Sequence, residues 1–256
     1  MRAGLQELLT YRFQYFIGLL LLLIPFAIKN CIWLLAFRNN DEIAGYTLDM
    51  ILRYNYLILI FGALLSTNVH WEIANEIKAG DLSKYLAKPI SHRNYWFNKG
   101  LGNKIGQLMY VLLLFLAMYV ICPNVFREIE FTYIVSGMIA FVLAYIMNFL
   151  IFYNFSLLSF RFLEISSFFT ALDLLMSFLN GEYLPIDLMP DAWVQISKLL
   201  PIHNGIYFVA QTLMGTYSSQ EIIFKIGIQI GWITVLVLCA SHNWKKGIKL
   251  YESVGI

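Results

Sequence analysis

The residue whose chemistry stands out is Asp173, a carboxylate inside an otherwise apolar stretch. A charge at the centre of a membrane helix costs about 2.5–3.5 kcal/mol on insertion scales, so such a side chain faces protein or water rather than lipid. Lys29 and Arg53 lie in two other apolar stretches and are its possible partners. Asp173 then either closes a structural interhelical pair or lines an interior pathway. The histidines His70, His92, His203 and His242 stand apart, near the ends of apolar stretches, and HExxH is absent. That placement suits interfacial side chains better than zinc ligands. Cys31, Cys122 and Cys239 are far apart with no CxxC pair, so they read as small buried thiols. The phosphate-cradling GxxxxGK[ST] is missing, and no Gly-Lys dipeptide occurs to supply its lysine. A GxSxG elbow is missing as well. The sequence therefore offers no catalytic constellation, no metal site and no cofactor held by this chain.

The elements that would position Asp173 are membrane helices. Of 256 residues, 59% are hydrophobic and 13% charged, against about 25% charged in a soluble domain. Several stretches reach the ~20 apolar residues that cross a bilayer as a helix, and open sheet edges are excluded there. The expected fold is all-α and polytopic, with about six transmembrane helices: Phe13 to Phe37 (interrupted by Pro25 and Lys29), Ile51 to Val69, Ile105 to Cys122, Phe131 to Phe160, Phe162 to Leu179 and Ile222 to Ser241. The first stretch resembles a signal peptide, but its apolar character resumes at Cys31 and no small-residue cleavage site follows, so it is read as an uncleaved span. The polar segments are too short to fold alone, which leaves one membrane domain over 1–256.

Charge gives the expected orientation. Arg2, Arg12, Lys78, Lys84, Lys88, Arg93, Lys99, Lys104, Arg161, Lys245, Lys246 and Lys249, twelve of the 18 basic residues, fall on one side of this arrangement. Asp41, Glu42, Asp49, Glu128, Glu130, Glu182, Asp187 and Asp191 fall on the other. The positive-inside rule makes the basic side cytoplasmic, with both termini there; the expected location is the plasma or inner membrane. A net charge of +2 is too small to suggest a nucleic-acid partner.

Two polar segments carry pattern. In the basic loop over 70–104, Glu72 and Glu76 are four apart, as are Ile73 and Ile77, so each pair shares a helix face. Gly80 suits a helix end, Asp81 a cap for a short helix with Leu82, Tyr85 and Leu86 on one stripe, and Pro89 its stop. Ser91 can cap a third helix leading into the membrane past Tyr95, Trp96 and Phe97. The loop either lies flat on the membrane or forms a docking protrusion. Across 181–220, Pro185, Pro190 and Pro201 punctuate two short helices: one capped by Asp191 with Trp193, Ile196 and Leu200 on one face, and one from Ile206 to Met214. Neither is long enough to span, so they are expected to lie in the outer interface or to enter it partway.

Three patterns together resemble the permease family of ABC type-2 exporters: Glu76-Ile77-x-x-Gly80-x-Leu82-x-x-x-Leu86-x-x-Pro89; Gly181-x-x-x-Pro185 … Met189-Pro190-x-x-Trp193 followed by Leu200-Pro201; and Trp244-Lys245-Lys246-Gly247 … Tyr251-x-x-x-Gly255. The resemblance covers almost the whole chain. It implies a permease working as a pair, identical or related, with two cytoplasmic ABC ATPase subunits that hold the ATP and Mg. It also implies a coupling helix within Glu72 to Pro89 and outer re-entrant helices over 181–220 that close the exit, with Pro185, Pro190, Trp193 and Pro201 at the gate. The stretch 1–12, with Leu5, Leu8, Leu9 and the following Phe13, would be the family's interfacial helix. The cargo classes are drugs, antibiotics, lipids and glycans. Two other readings stay open. An integral membrane enzyme acting on lipids needs a His, Asp or Glu cluster at the membrane surface. A carrier not driven by ATP usually has several intramembrane charges or glycine-broken spans in matching halves.

Overall fold

The computed structural model describes residues 12–82, 90–121, 129–162 and 164–251. Leu5, Leu8, Leu9, Leu86 and Pro89, named above, lie outside the described residues. Nine α-helices appear among the described residues: α1 (Arg12–Ala36), α2 (Leu48–Leu65), α3 (Val69–Lys78), α4 (His92–Ile121), α5 (Phe131–Ser156), α6 (Ser166–Leu179), α7 (Asp191–Leu199), α8 (Ile206–Leu213) and α9 (Ser219–Gly247). The only extended pairing among these residues is an isolated bridge between Ile43 and Tyr46.

Local chemistry sets the helix ends. The Thr47 hydroxyl accepts the Met50 N–H to open α2, with Asp49 in its first turn. Ser218 and Glu221 form a capping box at the start of α9. Gly80, at φ +75, closes α3 while the Asp81 N–H reaches back to the Glu76 carbonyl at 3.1 Å. Gly181, at φ +76, closes α6 in the same way. A side chain at Gly181 would also strike the Tyr54 hydroxyl, since its Cβ would lie 2.5 Å away. These are left-handed helix ends that glycine adopts without steric cost.

Among the described residues, three stretches are long and apolar enough to cross a membrane: Leu48–Lys78 (α2 and α3 taken across their break), Phe131–Phe160 and Ser219–Gly247; Ser166–Leu179 is a shorter apolar helix. The stretch expected as a fifth span therefore holds only 14 helical residues, about 21 Å at 1.5 Å per residue. Phe162, Glu164 and Ile165 fail to join it because they carry no helix, and α6 begins only at Ser166. The expected third span is not a separate helix from the segment after Ser91. The two form the single 30-residue α4. Asp191 does not cap α7 but begins it, with Pro190 in the cap position.

Packing runs around α5, which touches α2, α3, α8 and α9. The helix faces that bury side chains form two main cores. One, at the end carrying Arg93, Arg161 and Lys245, gathers Ile73, Ile77, Leu82, Trp96, Met147, Phe152, Tyr153 and Phe169. We call this the basic end. The other core lies towards the acidic end, where Tyr54, Leu57, Ala140, Ile206, Tyr207 and Phe208 meet. The outer flanks of α4 and α9 expose Ile105, Leu113, Ile223, Phe224 and Leu238. Such all-round apolar helices need an apolar solvent on their free side.

Candidate functional site

At the basic end, α3 sits between α2 and α4 with one face against α5 and α6. Its Ile73 and Ile77 are buried in the chain's own core, and so is Leu82 beyond Gly80. Glu72 pairs with Lys99 at 2.6 Å. The Glu76 carboxylate accepts the Trp96 indole N–H at 3.0 Å. The same N–H reaches His92 Nε2 at 3.0 Å, and His92 Nδ1 lies 3.1 Å from the Tyr153 hydroxyl. What α3 turns outward is Asn75, Lys78 and Ala79.

Asp173 lies beside this region. His70 Nε2 is 3.0 Å from Asp173 Oδ1, and the Trp71 indole donates to Asp173 Oδ2 at 3.0 Å. The His70 ring stacks on Phe152 at 4.6 Å and meets Phe169 edge-on at 4.9 Å. His70 is wholly buried, whereas the Asp173 side chain is 43% exposed. Its open side faces a cavity of about 220 Å³ that it shares with Asn68, Asn148, Ser177, Asn180, Glu182 and Ile206. The pairing of Asp173 with Lys29 or Arg53 expected from the sequence does not form. Lys29 instead donates to the Glu182 carbonyl at 2.7 Å, and Arg53 is half-buried on α2. The physical reason is depth: Lys29 sits level with the Gly181 turn, while Asp173 lies about 10 Å from the start of α6.

Between α2 and α3 the chain leaves the helix over Ser66 to Asn68. Side chains take up three of the carbonyls there. The Asn148 amide donates to the Leu65 carbonyl at 2.7 Å, and the Lys104 ammonium reaches the carbonyls of Ala63, at 3.3 Å, and of Ser66. A cation on the last carbonyls of a helix also complements its dipole.

At the acidic end, α7, the turn Pro201–Asn204 and α8 form a hairpin whose tip is inside the bundle. The Gln229 amide donates to the Asn204 carbonyl at 2.7 Å and to the Ala140 carbonyl at 3.1 Å. Gln229 is about 15 Å along α9 from Ser219, so the tip lies that far in from the end. Asp187 gathers the hairpin base: its Oδ2 accepts from Tyr46 at 2.8 Å, from Tyr207, and from Gln211 at 3.5 Å. Gln211 also donates to the Tyr46 oxygen at 2.7 Å. Burial, and next the Asp187 charge, push the Tyr46 phenol above its ordinary range. The Tyr54 hydroxyl donates to the Gly181 carbonyl at 2.6 Å. Of the expected gate residues, Pro185 is buried under this network, Pro201 opens the hairpin turn, and Pro190 and Trp193 are exposed.

The family described as ABC-2 family transporter protein matches residues 23–255. The chain belongs to this ABC-2 family. No curated protein and no solved structure matches it. An ABC-2 membrane component is typically not itself catalytic, and no group of three or more His, Cys, Asp or Glu able to hold a metal occurs among the described residues.

Three residues escaped sequence reasoning as parts of these sites: His70, His92 and His203 are buried among aromatic side chains. Their positions gave one signal, aromatic company. Trp71 adjoins His70, Trp96 follows His92 by four residues, and Tyr207 follows His203 by four. Such neighbours can enclose an imidazole.

Proposed function

We propose that the chain is the membrane-spanning permease of an ATP-driven ABC-2 exporter, paired with a second permease copy or a related one and driven by two separate ATPase subunits. In this reading α1, α2, α4, α5, α6 and α9 are the six spans, with both termini and the basic end in the cytoplasm. The lengths of α1 and α4, 25 and 30 residues, support counting them as spans. Segment 72–89 is the coupling segment. The hairpin over 181–220 is re-entrant from the outer side, with Pro185, Pro190, Trp193 and Pro201 at the exit gate. Asp173 and the cavity it faces belong to the interior that cargo meets. Drug-like, antibiotic, lipid-like and glycan cargo are all compatible with that lining.

The observation that carries this is the two-faced character of α3. Asn75, Lys78 and Ala79 are exposed, Lys78 in a surface pair with Glu164, while Ile73 and Ile77 are buried against the membrane bundle. A push on the exposed face must therefore move α5 and α6, because close-packed side chains transmit displacement instead of absorbing it. The test is purification in detergent together with candidate ABC ATPase subunits, combined with labelling of Lys78→Cys. The expected result is a stable complex whose ATPase subunit crosslinks to position 78. Labelling of that cysteine by a membrane-impermeant reagent added outside intact cells would sink the reading. For the interior role of Asp173, Asp173→Asn should lower transport while leaving assembly whole; unchanged transport removes that role.

A further inference from the structure

The end of α9 and the turn after it carry a pattern that the function above does not use: Trp244 and Gly247, at i and i+3, share one face of the helix, and Tyr251 lies just beyond its end. Lys245 and Lys246 on the helix and Lys249 in the turn are exposed. That face and Tyr251 are in contact with the segment around α3 at several points. The Trp244 ring stacks on His92 at 4.5 Å and 22°. Gly247 lets α9 meet the turn after α5 so closely that a Cβ there would lie 2.2 Å from the Phe160 ring. The Tyr251 hydroxyl accepts the backbone N–H of Leu82 at 3.2 Å, a contact across 169 residues of sequence. Phe160 fills the space between, edge-on to Trp244 at 5.8 Å and to Tyr251 at 6.3 Å.

Farther along, α9 packs Trp232, Leu236 and Ala240 into the same core, and the Leu236 carbonyl accepts the Asn154 amide of α5 at 3.0 Å. Beyond that lies Gln229, whose amide holds the Asn204 carbonyl at the hairpin tip. Lys225, one turn on, approaches His203 of the same tip at 3.5 Å. One helix thus grips the coupling segment at one end and the re-entrant hairpin near the other.

We infer that α9 is the mechanical link between the ATPase-facing segment and the outer hairpin, with Trp244, Gly247, Tyr251 and Gln229 as positioning residues. The inference rests on the exporter reading. Displacement of Leu82 and His92 is carried into α9 through Tyr251 and Trp244, and leaves it through Gln229 at Asn204.

The test uses the full permease–ATPase complex in detergent and reads hydrogen exchange over 201–213 with and without ATP plus vanadate. In the natural sequence nucleotide should change hairpin exchange. Tyr251→Phe, which removes one oxygen, should shrink that response about five-fold, and Gln229→Leu by a similar factor. Gln229 is about 27 Å along α9 from its end at Gly247, and Tyr251 lies beyond that end, a separation at which independent effects combine additively in free energy. If α9 is the link, the double variant is no worse than the worse single one. A purely structural role would alter complex yield or nucleotide-free exchange and leave the nucleotide response intact. Should Gln229→Leu not accumulate, Gln229→Asn replaces it, since its amide falls short of Asn204. A full response in Tyr251→Phe, multiplied losses in the double variant, or a natural complex whose hairpin ignores nucleotide each overturn the inference. Failure of any ATPase to co-purify with the natural chain counts against the exporter reading instead.

Discussion

The polar clusters at the two ends of the bundle are built on opposite plans. At the acidic end one carboxylate, Asp187, collects Tyr46, Tyr207 and Gln211, and Gln211 ties the two phenols together. At the basic end the carboxylates are divided, Asp173 with His70 and Trp71, Glu76 with Trp96 and His92. Those clusters leave His70 Nδ1 and Glu76 Oε1 buried without a hydrogen-bond partner. A network whose donors converge on one acceptor resists being pulled apart, because separation strands several buried groups at once. A network with spare capacity can exchange partners at smaller cost. The difference assigns rigidity to the hairpin base and adaptability to the basic end.

Thermal unfolding of the detergent-purified chain can break this contrast. Asp187→Ala is expected to have the largest effect, a loss of about 3 kcal/mol, since three donors lose their shared acceptor. A loss below about 1 kcal/mol would dissolve the distinction between the ends. Tyr54→Phe comes next. It leaves the Gly181 carbonyl unpaired in a buried site and should cost about 1.5 kcal/mol. At the basic end His70→Phe keeps a ring against Phe152, removes the orphaned Nδ1 and leaves Asp173 its Trp71 donor. Its change in stability should stay within about 1 kcal/mol. Lys78→Ala breaks only the exposed pair with Glu164, whose side chains are 54% and 76% exposed, and should be within about 0.5 kcal/mol. If either basic-end variant exceeds Tyr54→Phe, the ordering fails.

Much of this architecture could be read from residue patterns, and the exceptions share a cause. The apolar runs that became α2, α5 and α9 were legible because lipid selects on composition, which is local. Gly80 and the hairpin ending near Gly215 were legible because helix ends are written in single residues. The partners of Asp173 were not legible. Lys29 and Arg53 matched it in charge, but pairing depends on depth in the bundle, which follows from where α3 restarts after Ser66 to Asn68. The burial of Ile77 and Leu82 was hidden for a related reason. An amphipathic stripe states that a helix has an apolar face, but it leaves open whether that face meets the chain's own core or another protein.

The interruption between α2 and α3 carries a consequence for how this molecule deforms. Its loosened carbonyls are held by Asn148 and by a lysine on a four-carbon stem, which can follow them through a range of angles. A joint made this way keeps its Lys104 contacts through small rotations, because the ammonium can follow the Ala63 and Ser66 carbonyls. The short helix beyond it can then behave as a lever, with Lys104 travelling alongside as a tether.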